Sequence, residues 1–192
     1  MSDNLKPAAQ CAKAARTAQV VLGQISRAFQ FRDRTVFLQL YKQYVRPHLE
    51  FSVQAWSPWL QADKDALEKV QRRALGMVVG LKAKDYEGRL KEVGLTTLEE
   101  RRHQADMLLV YKTMTGKDNT DPSTWFQPAA DGPRQTRNAA GPLNVRANHG
   151  RLDIRRNFFS VRVTDSWNRI PCGIKLLKTV KGFKDAYKAH RK

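Results

Sequence analysis

Ala8, Cys11, Ala15, Ala18, Leu22, Ile25 and Phe29 recur at alternating spacings of three and four residues. That rhythm lays one apolar seam along a helix expected over residues 7–29. Pro7 suits its first turn, where a missing N–H forfeits no hydrogen bond, and the small residues early in the seam admit a close neighbour. Asp33 is the expected N-cap of a second helix, residues 33–45, with Val36, Phe37, Leu40, Tyr41 and Tyr44 on one face. Pro47 disfavours helical geometry at Arg46, so a kink or break is expected there. Leu49, Val53 and Trp56 continue at helical spacing until Ser57-Pro58 ends the run. A third helix over 63–79 presents Leu67, Val70, Ala74, Leu75 and Val78, with Gly80 as its stop.

Residues 86–93 predict a short helix closed by Gly94. Thr97-Leu98-Glu99-Glu100 follows as a capping box, in which a Thr hydroxyl and a Glu three residues on satisfy the first amides of a helix. That helix is expected to run to about Gly116 through Ala105, Leu108, Leu109 and Tyr111. From 117 to 150 the pattern gives way to Pro, Gly and polar residues, the composition of a linker or irregular loop. Periodicity leaves 151–167 open between helix and strand. Thr179 begins a last helix containing Val180, Phe183 and Tyr187. The expected fold is mainly α: a helical bundle over 1–80, a helical connection over 81–116, a Pro/Gly-rich linker over 117–150 and a small basic module over 151–192.

Charge sharpens this picture. Of 192 residues, 35 are Lys or Arg and 18 are Asp or Glu, a formal net charge of +17. Residues 1–60 carry 8 basic and 3 acidic side chains, residues 61–116 carry 11 and 9, and residues 117–192 carry 16 and 6. The middle has the composition of an ordinary salt-bridged surface; the C-terminal third has that of an electrostatic footprint for a polyanion. No apolar run approaches the ~18 residues that cross a bilayer, and Met1-Ser2-Asp3-Asn4 does not open as a signal peptide. Two cysteines, Cys11 and Cys172, are too few for a disulfide framework or a four-ligand zinc site. An intracellular chain, nuclear or cytoplasmic, is expected, with no membrane contact.

Catalytic patterns are missing. There is no G-x-S-x-G elbow, no H-E-x-x-H pair and no complete phosphate-cradling glycine loop. The four histidines have no ligating spacing, and Asp63 and Asp65 suit the positive end of a helix. What remains is a scaffold with cationic positions. Arg46 and His48 flank the expected kink; Lys69, Arg72 and Arg73 share the outer face of the third helix; Arg101 and Arg102 oppose the dipole of the capped helix and so require another reason. Arg155, Arg156 and Arg162 lie among Phe158, Phe159, Val161, Val163 and Trp167. Solvated surface charge accounts for any one of these; backbone phosphate contact accounts for them together.

Several stretches, in order along nearly the whole chain, resemble one family. They are Asp3-Asn4-Leu5-Lys6-Pro7, Leu38-x-Leu40-Tyr41, Val45-Arg46-Pro47-His48-Leu49-Glu50-Phe51 and Trp56-Ser57-Pro58. Then come Leu67-Glu68-Lys69-Val70-Gln71-Arg72-Arg73-Ala74 and Gly94-Leu95-Thr96-Thr97-Leu98-Glu99-Glu100-Arg101-Arg102. Arg156-Asn157-Phe158-Phe159-Ser160-Val161-Arg162-Val163 and Trp167-Asn168-Arg169-Ile170-Pro171 complete the set. Together they resemble the reverse transcriptases of non-LTR retrotransposons, of the jockey-like and chicken-repeat type. Phe51 stands where that family usually has Tyr, Ile170 where it usually has Leu, and Leu75-Gly76-Met77 replaces a more polar stretch.

The resemblance implies the thumb, a helical bundle gripping the template–primer duplex, followed by the C-terminal tail. The palm with its Ala-Asp-Asp signature, the Mg²⁺ it holds and the fingers would belong to an upstream part of the parent RNA-directed DNA polymerase. This chain, which lacks Ala-Asp-Asp, is then expected to bind an RNA–DNA hybrid or duplex without a cofactor or activity of its own. A host-adopted protein-interaction module and a non-functional relic are the alternatives.

Overall fold

The first seam closes into α1 (Ala8–Ala28), which buries Cys11, Ala14, Ala15, Ala18, Leu22 and Ile25. Phe29, expected inside the helix, instead caps it in extended geometry and stays exposed. The computed structural model describes residues 7–30, 33–129, 141, 143–147 and 150–191. Positions 3–6 of the resembling stretches and 130–140 of the expected linker lie outside them. Among the described residues helices dominate, and the only β pairing is an isolated antiparallel bridge between Pro128 and Val145. The chain is mainly α, as its periodicity predicts.

Asp33 caps α2 (Arg34–Leu40), its carboxylate accepting the N–H groups of Thr35 and Val36 at 2.9 and 3.4 Å. Of the kink or break expected at Arg46, the break does not occur. The helix widens into a π turn, Tyr41–Val45, and runs on as α3 (Arg46–Glu50). The Arg46 N–H reaches back to the Tyr41 carbonyl, five residues away. A proline ring collides with the carbonyl four residues before it, and the wide turn gives Pro47 that room. Tyr41, Val45 and Leu49 are buried, whereas Val36, ahead of the wide turn, and Tyr44, within it, both expected on the apolar face, are exposed. The chain breaks later, at Ser52, whose φ of 50° is left-handed, before α4 (Val53–Trp56).

α5 (Gln61–Gly76) buries Leu67, Val70, Ala74 and Leu75 together with Gln71. α6 (Tyr86–Val93) is capped by Asp85, which accepts the Gly88 N–H at 3.1 Å, and ends on Gly94 at φ 63°. α7 (Leu98–Met114) begins at the expected capping position, the Thr97 hydroxyl accepting the Glu100 N–H at 3.2 Å. Of the expected line Ala105, Leu108, Leu109 and Tyr111, Tyr111 is buried, Leu108 and Leu109 are partly buried against the core, and Ala105 is half-buried. The buried positions are Leu98, Arg102, Asp106, Met107, Val110, Tyr111 and Thr113. Two charged residues on the inner face interrupt the apolar rhythm that would have revealed it.

The chain divides into two compact units within α7, between Arg102 and His103. In residues 7–102, α1 packs against α5, α3 and the π turn. Fully buried Leu22, Leu49, Leu67, Leu75 and Leu98 centre that core, each contributing about 1.5–3 kcal/mol.

In residues 103–191, the segment left open between helix and strand is helical. It forms α8 (Asp153–Arg156), α9 (Phe159–Arg162) and α10 (Thr164–Asn168), followed by α11 (Cys172–Lys175) and α12 (Val180–His190). Tyr111 stacks on Phe183 at 4.2 Å, and Phe183 on Tyr187 at 5.8 Å. Part of the 117–150 region is pinned here. Asn168 accepts the Val145 N–H at 3.1 Å and donates to the Val145 carbonyl at 2.8 Å. The Trp167 indole donates to the Leu143 carbonyl at 2.7 Å. The Trp-Asn pair of the last resembling stretch thus binds the backbone of Leu143 and Val145, within the region expected as a linker.

Candidate nucleic-acid interface

α5 separates its chemistry by face. Leu67, Val70 and Ala74 point into the core, while Lys69, Arg72 and Arg73, three and four residues apart, are exposed together on the outside. The Arg72 guanidinium lies 4.8 Å over the ring of Tyr86, a contact that restrains a long side chain without neutralising it.

Tyr86 is itself held by a buried polar network. The Tyr41 hydroxyl donates to Gln71 Oε1 at 2.7 Å. The Gln71 amide nitrogen faces the Thr96 carbonyl at 3.1 Å, the Tyr86 hydroxyl at 3.0 Å and the Glu68 carboxylate at 3.2 Å. Tyr86 donates to that carboxylate, whose second oxygen accepts the Leu98 N–H at 3.0 Å. Burial first, and Glu68 next, push the Tyr86 hydroxyl above its ordinary range; burial does the same for Tyr41. Both stay protonated donors. Sequence periodicity missed this cluster because Glu68 and Gln71 read as surface residues on a helix.

Arg46 and Arg101 share one carboxylate. Arg101 donates to Glu50 through Nε to Oε1 and through Nη2 to Oε2, the latter at 2.9 Å, and Arg46 Nε lies 3.7 Å from the same Oε2. The Glu50 contact raises the Arg101 pKa, while burial and the neighbouring Arg101 lower that of Arg46. One positive charge of the three remains uncancelled. Glu50 supplies the reason that Arg101 needed at a helix N-terminus. His48, on α3, is exposed.

Arg102 leaves the set of surface contacts that its sequence position suggested. It follows Leu98 by one turn on the inward face, is 4% exposed, and both terminal nitrogens lack a hydrogen-bond partner among the described residues. Burial lowers its pKa, opposed by the field of Glu68 and Glu99. Arg162 is also committed internally, paired with Asp106 at 3.1 Å and donating to the Asn157 carbonyl at 3.1 Å. Arg155 and Arg156 remain outward in α8. Arg156 Nε donates to the Gly150 carbonyl at 3.0 Å, and Arg155 stands 5.3 Å over the ring of Phe158.

The structure therefore gathers Lys69, Arg72 and Arg73 on one helix face, Arg46 with Arg101 around Glu50, and Arg155 with Arg156 in one turn. Arg102 is buried, and Arg162, its side chain 17% exposed, is paired with Asp106. Among the described residues no helix is long and apolar enough to cross a membrane, and no three His, Cys, Asp or Glu side chains cluster to hold a metal ion. Compared with known proteins, the chain matches no family model, no curated protein and no solved structure.

Proposed function

We propose that this chain is a nucleic-acid-gripping segment, the thumb and tail of a polymerase resembling the non-LTR retrotransposon reverse transcriptases, and that it binds duplex backbone. The observation that carries the proposal is the split of α5: an apolar face locked into a core, with Lys69, Arg72 and Arg73 exposed on the other side. A rigid rod presenting cations at helical spacing suits the regular phosphates of a duplex and reads its shape, with little regard for sequence. The polar network behind Tyr86 supports this reading, because it fixes the ring on which Arg72 rests. Arg46 and Arg101, which retain one positive charge around Glu50, add a second cationic point on residues 7–102.

In this reading the chain positions a duplex and performs no bond chemistry. The carboxylates of a polymerase, and the Mg²⁺ they hold, would lie in the palm of the parent protein. Binding of the purified chain to an RNA–DNA hybrid and to duplex DNA across a salt series tests it. Strong salt-sensitive binding with preference for the hybrid supports a retained thumb function. Weak binding, or equal binding to every polyanion, reduces the chain to a basic remnant; a partner captured after nuclease treatment would favour a protein-interaction module.

A further inference from the structure

Trp125 and Phe158 form a surface in residues 103–191 that duplex binding leaves unused. Their rings stack with centroids 6.1 Å apart and planes 25° from parallel, yet they are 39% and 43% exposed. The pair is firmly seated. Beneath it, Phe159 meets Trp125 at 6.1 Å and 85° and meets Phe126 at 6.1 Å and 62°, and both Phe159 and Phe126 are buried. Asp121 caps the turn before Trp125, accepting the Ser123 N–H at 2.9 Å. The Phe158 carbonyl accepts the first amides of α9, from Val161 and Arg162, at 3.0 Å each. Arg155 extends its guanidinium 5.3 Å over the Phe158 ring, and Arg151 and Arg156 are exposed nearby in sequence.

We infer that this aromatic pair is a stacking platform for single-stranded nucleic acid. Unpaired bases offer flat faces to aromatic rings, and arginines beside the rings serve both the bases and the phosphates that join them. A duplex keeps those faces inside its own stack and offers them only at its ends. Charge selects the occupant: residues 151–192 carry 12 basic and 3 acidic side chains, whereas the cores of protein–protein contacts are depleted in charge. The platform stands independently of duplex binding by α5.

Anisotropy of a labelled oligouridylate with the full chain tests it. Trp125→Leu and Phe158→Leu keep apolar bulk but remove the ring faces. Each is expected to weaken single-strand binding between about fivefold and a hundredfold, to leave the salt slope unchanged, and to leave hybrid affinity within about twofold. Trp125→Phe and Phe158→Tyr should retain most of the affinity, which separates loss of stacking from loss of fold. Full affinity in both Leu variants, or an equal loss on the hybrid, overturns the platform and leaves the patch to an apolar protein contact. Lys69, Arg72 and Arg73 are untouched in these variants, so either reading can fail without the other.

Discussion

Arg162 and Asp106, 56 residues apart in sequence, meet as a two-point pair: Nε and Nη2 of the arginine donate to the two carboxylate oxygens at 3.1 Å each. The contact ties α9 to α7 inside residues 103–191, with the side chains only 17% and 7% exposed. An arginine that sequence context places among nucleic-acid contacts is thus a structural pin. Arg162→Ala leaves a buried carboxylate without its cation, a loss of about 3 kcal/mol. Urea unfolding should record that destabilisation, while the salt slope of hybrid binding stays at the wild-type value.

Gln71 supports the outer face of α5 from within. Gln71→Ala strands the Tyr41 hydroxyl and the Thr96 carbonyl and opens a cavity at a position of 0% exposure. A loss of about 2–4 kcal/mol is expected. Tyr86→Phe should cost less, about 1–2 kcal/mol, because Glu68 keeps the Leu98 N–H. Denaturant midpoints of the two variants check the order.

Cys11 provides a pH signature. Burial, and then Asp63, push its thiol from 9.0 up to about 12. A folded-state pKa raised above the unfolded one contributes stability that is complete below pH 9 and is lost as pH rises toward 12. Across that window the slope attributable to Cys11 approaches about 1.4 kcal/mol per pH unit. Cys11→Ala should therefore be less stable than wild type at pH 7, with the gap narrowing above pH 9 in urea titrations. At neutral pH a thiol reagent should modify exposed Cys172 and spare Cys11.

Gly150 sets the approach of Arg155. A Cβ at Gly150 would stand 2.8 Å from the Arg155 Cβ and 3.1 Å from its backbone carbonyl carbon, a clash that moving a side-chain tip cannot relieve. Gly150→Ala should shift α8 and weaken oligouridylate binding severalfold, with the urea transition of the chain moved by less than about 1 kcal/mol. Unchanged binding would detach Arg155 from the platform.

Much of the fold is legible in the sequence where a single rule decides. The seam of α1, the Asp33 and Thr97 caps and the Gly94 stop each require one local interaction, and each stands where its residue type predicts. At Pro47 the steric rule leaves a kink or a break open, and the helix continues through a wide turn with Tyr41, Val45 and Leu49 packed inward. The inner face of α7 is hidden for another reason. Arg102 and Asp106 are polar by composition, yet both are buried, Asp106 against Arg162, which lies 56 residues away in sequence. Of the candidate interface, Lys69, Arg72 and Arg73 are legible because helical spacing alone separates them from Leu67 and Val70. The Trp125–Phe158 pair is not, since it joins residues 33 positions apart across a region without periodicity.

The most direct test of duplex binding by α5 is the salt dependence of hybrid affinity in the Arg72→Ala, Arg73→Ala double variant. Removing two phosphate contacts should weaken binding uniformly across sequences and lower the log–log salt slope by about one to two. An unchanged slope in a variant that unfolds at the wild-type urea concentration would contradict the account, because the exposed face of α5 would then not touch nucleic acid.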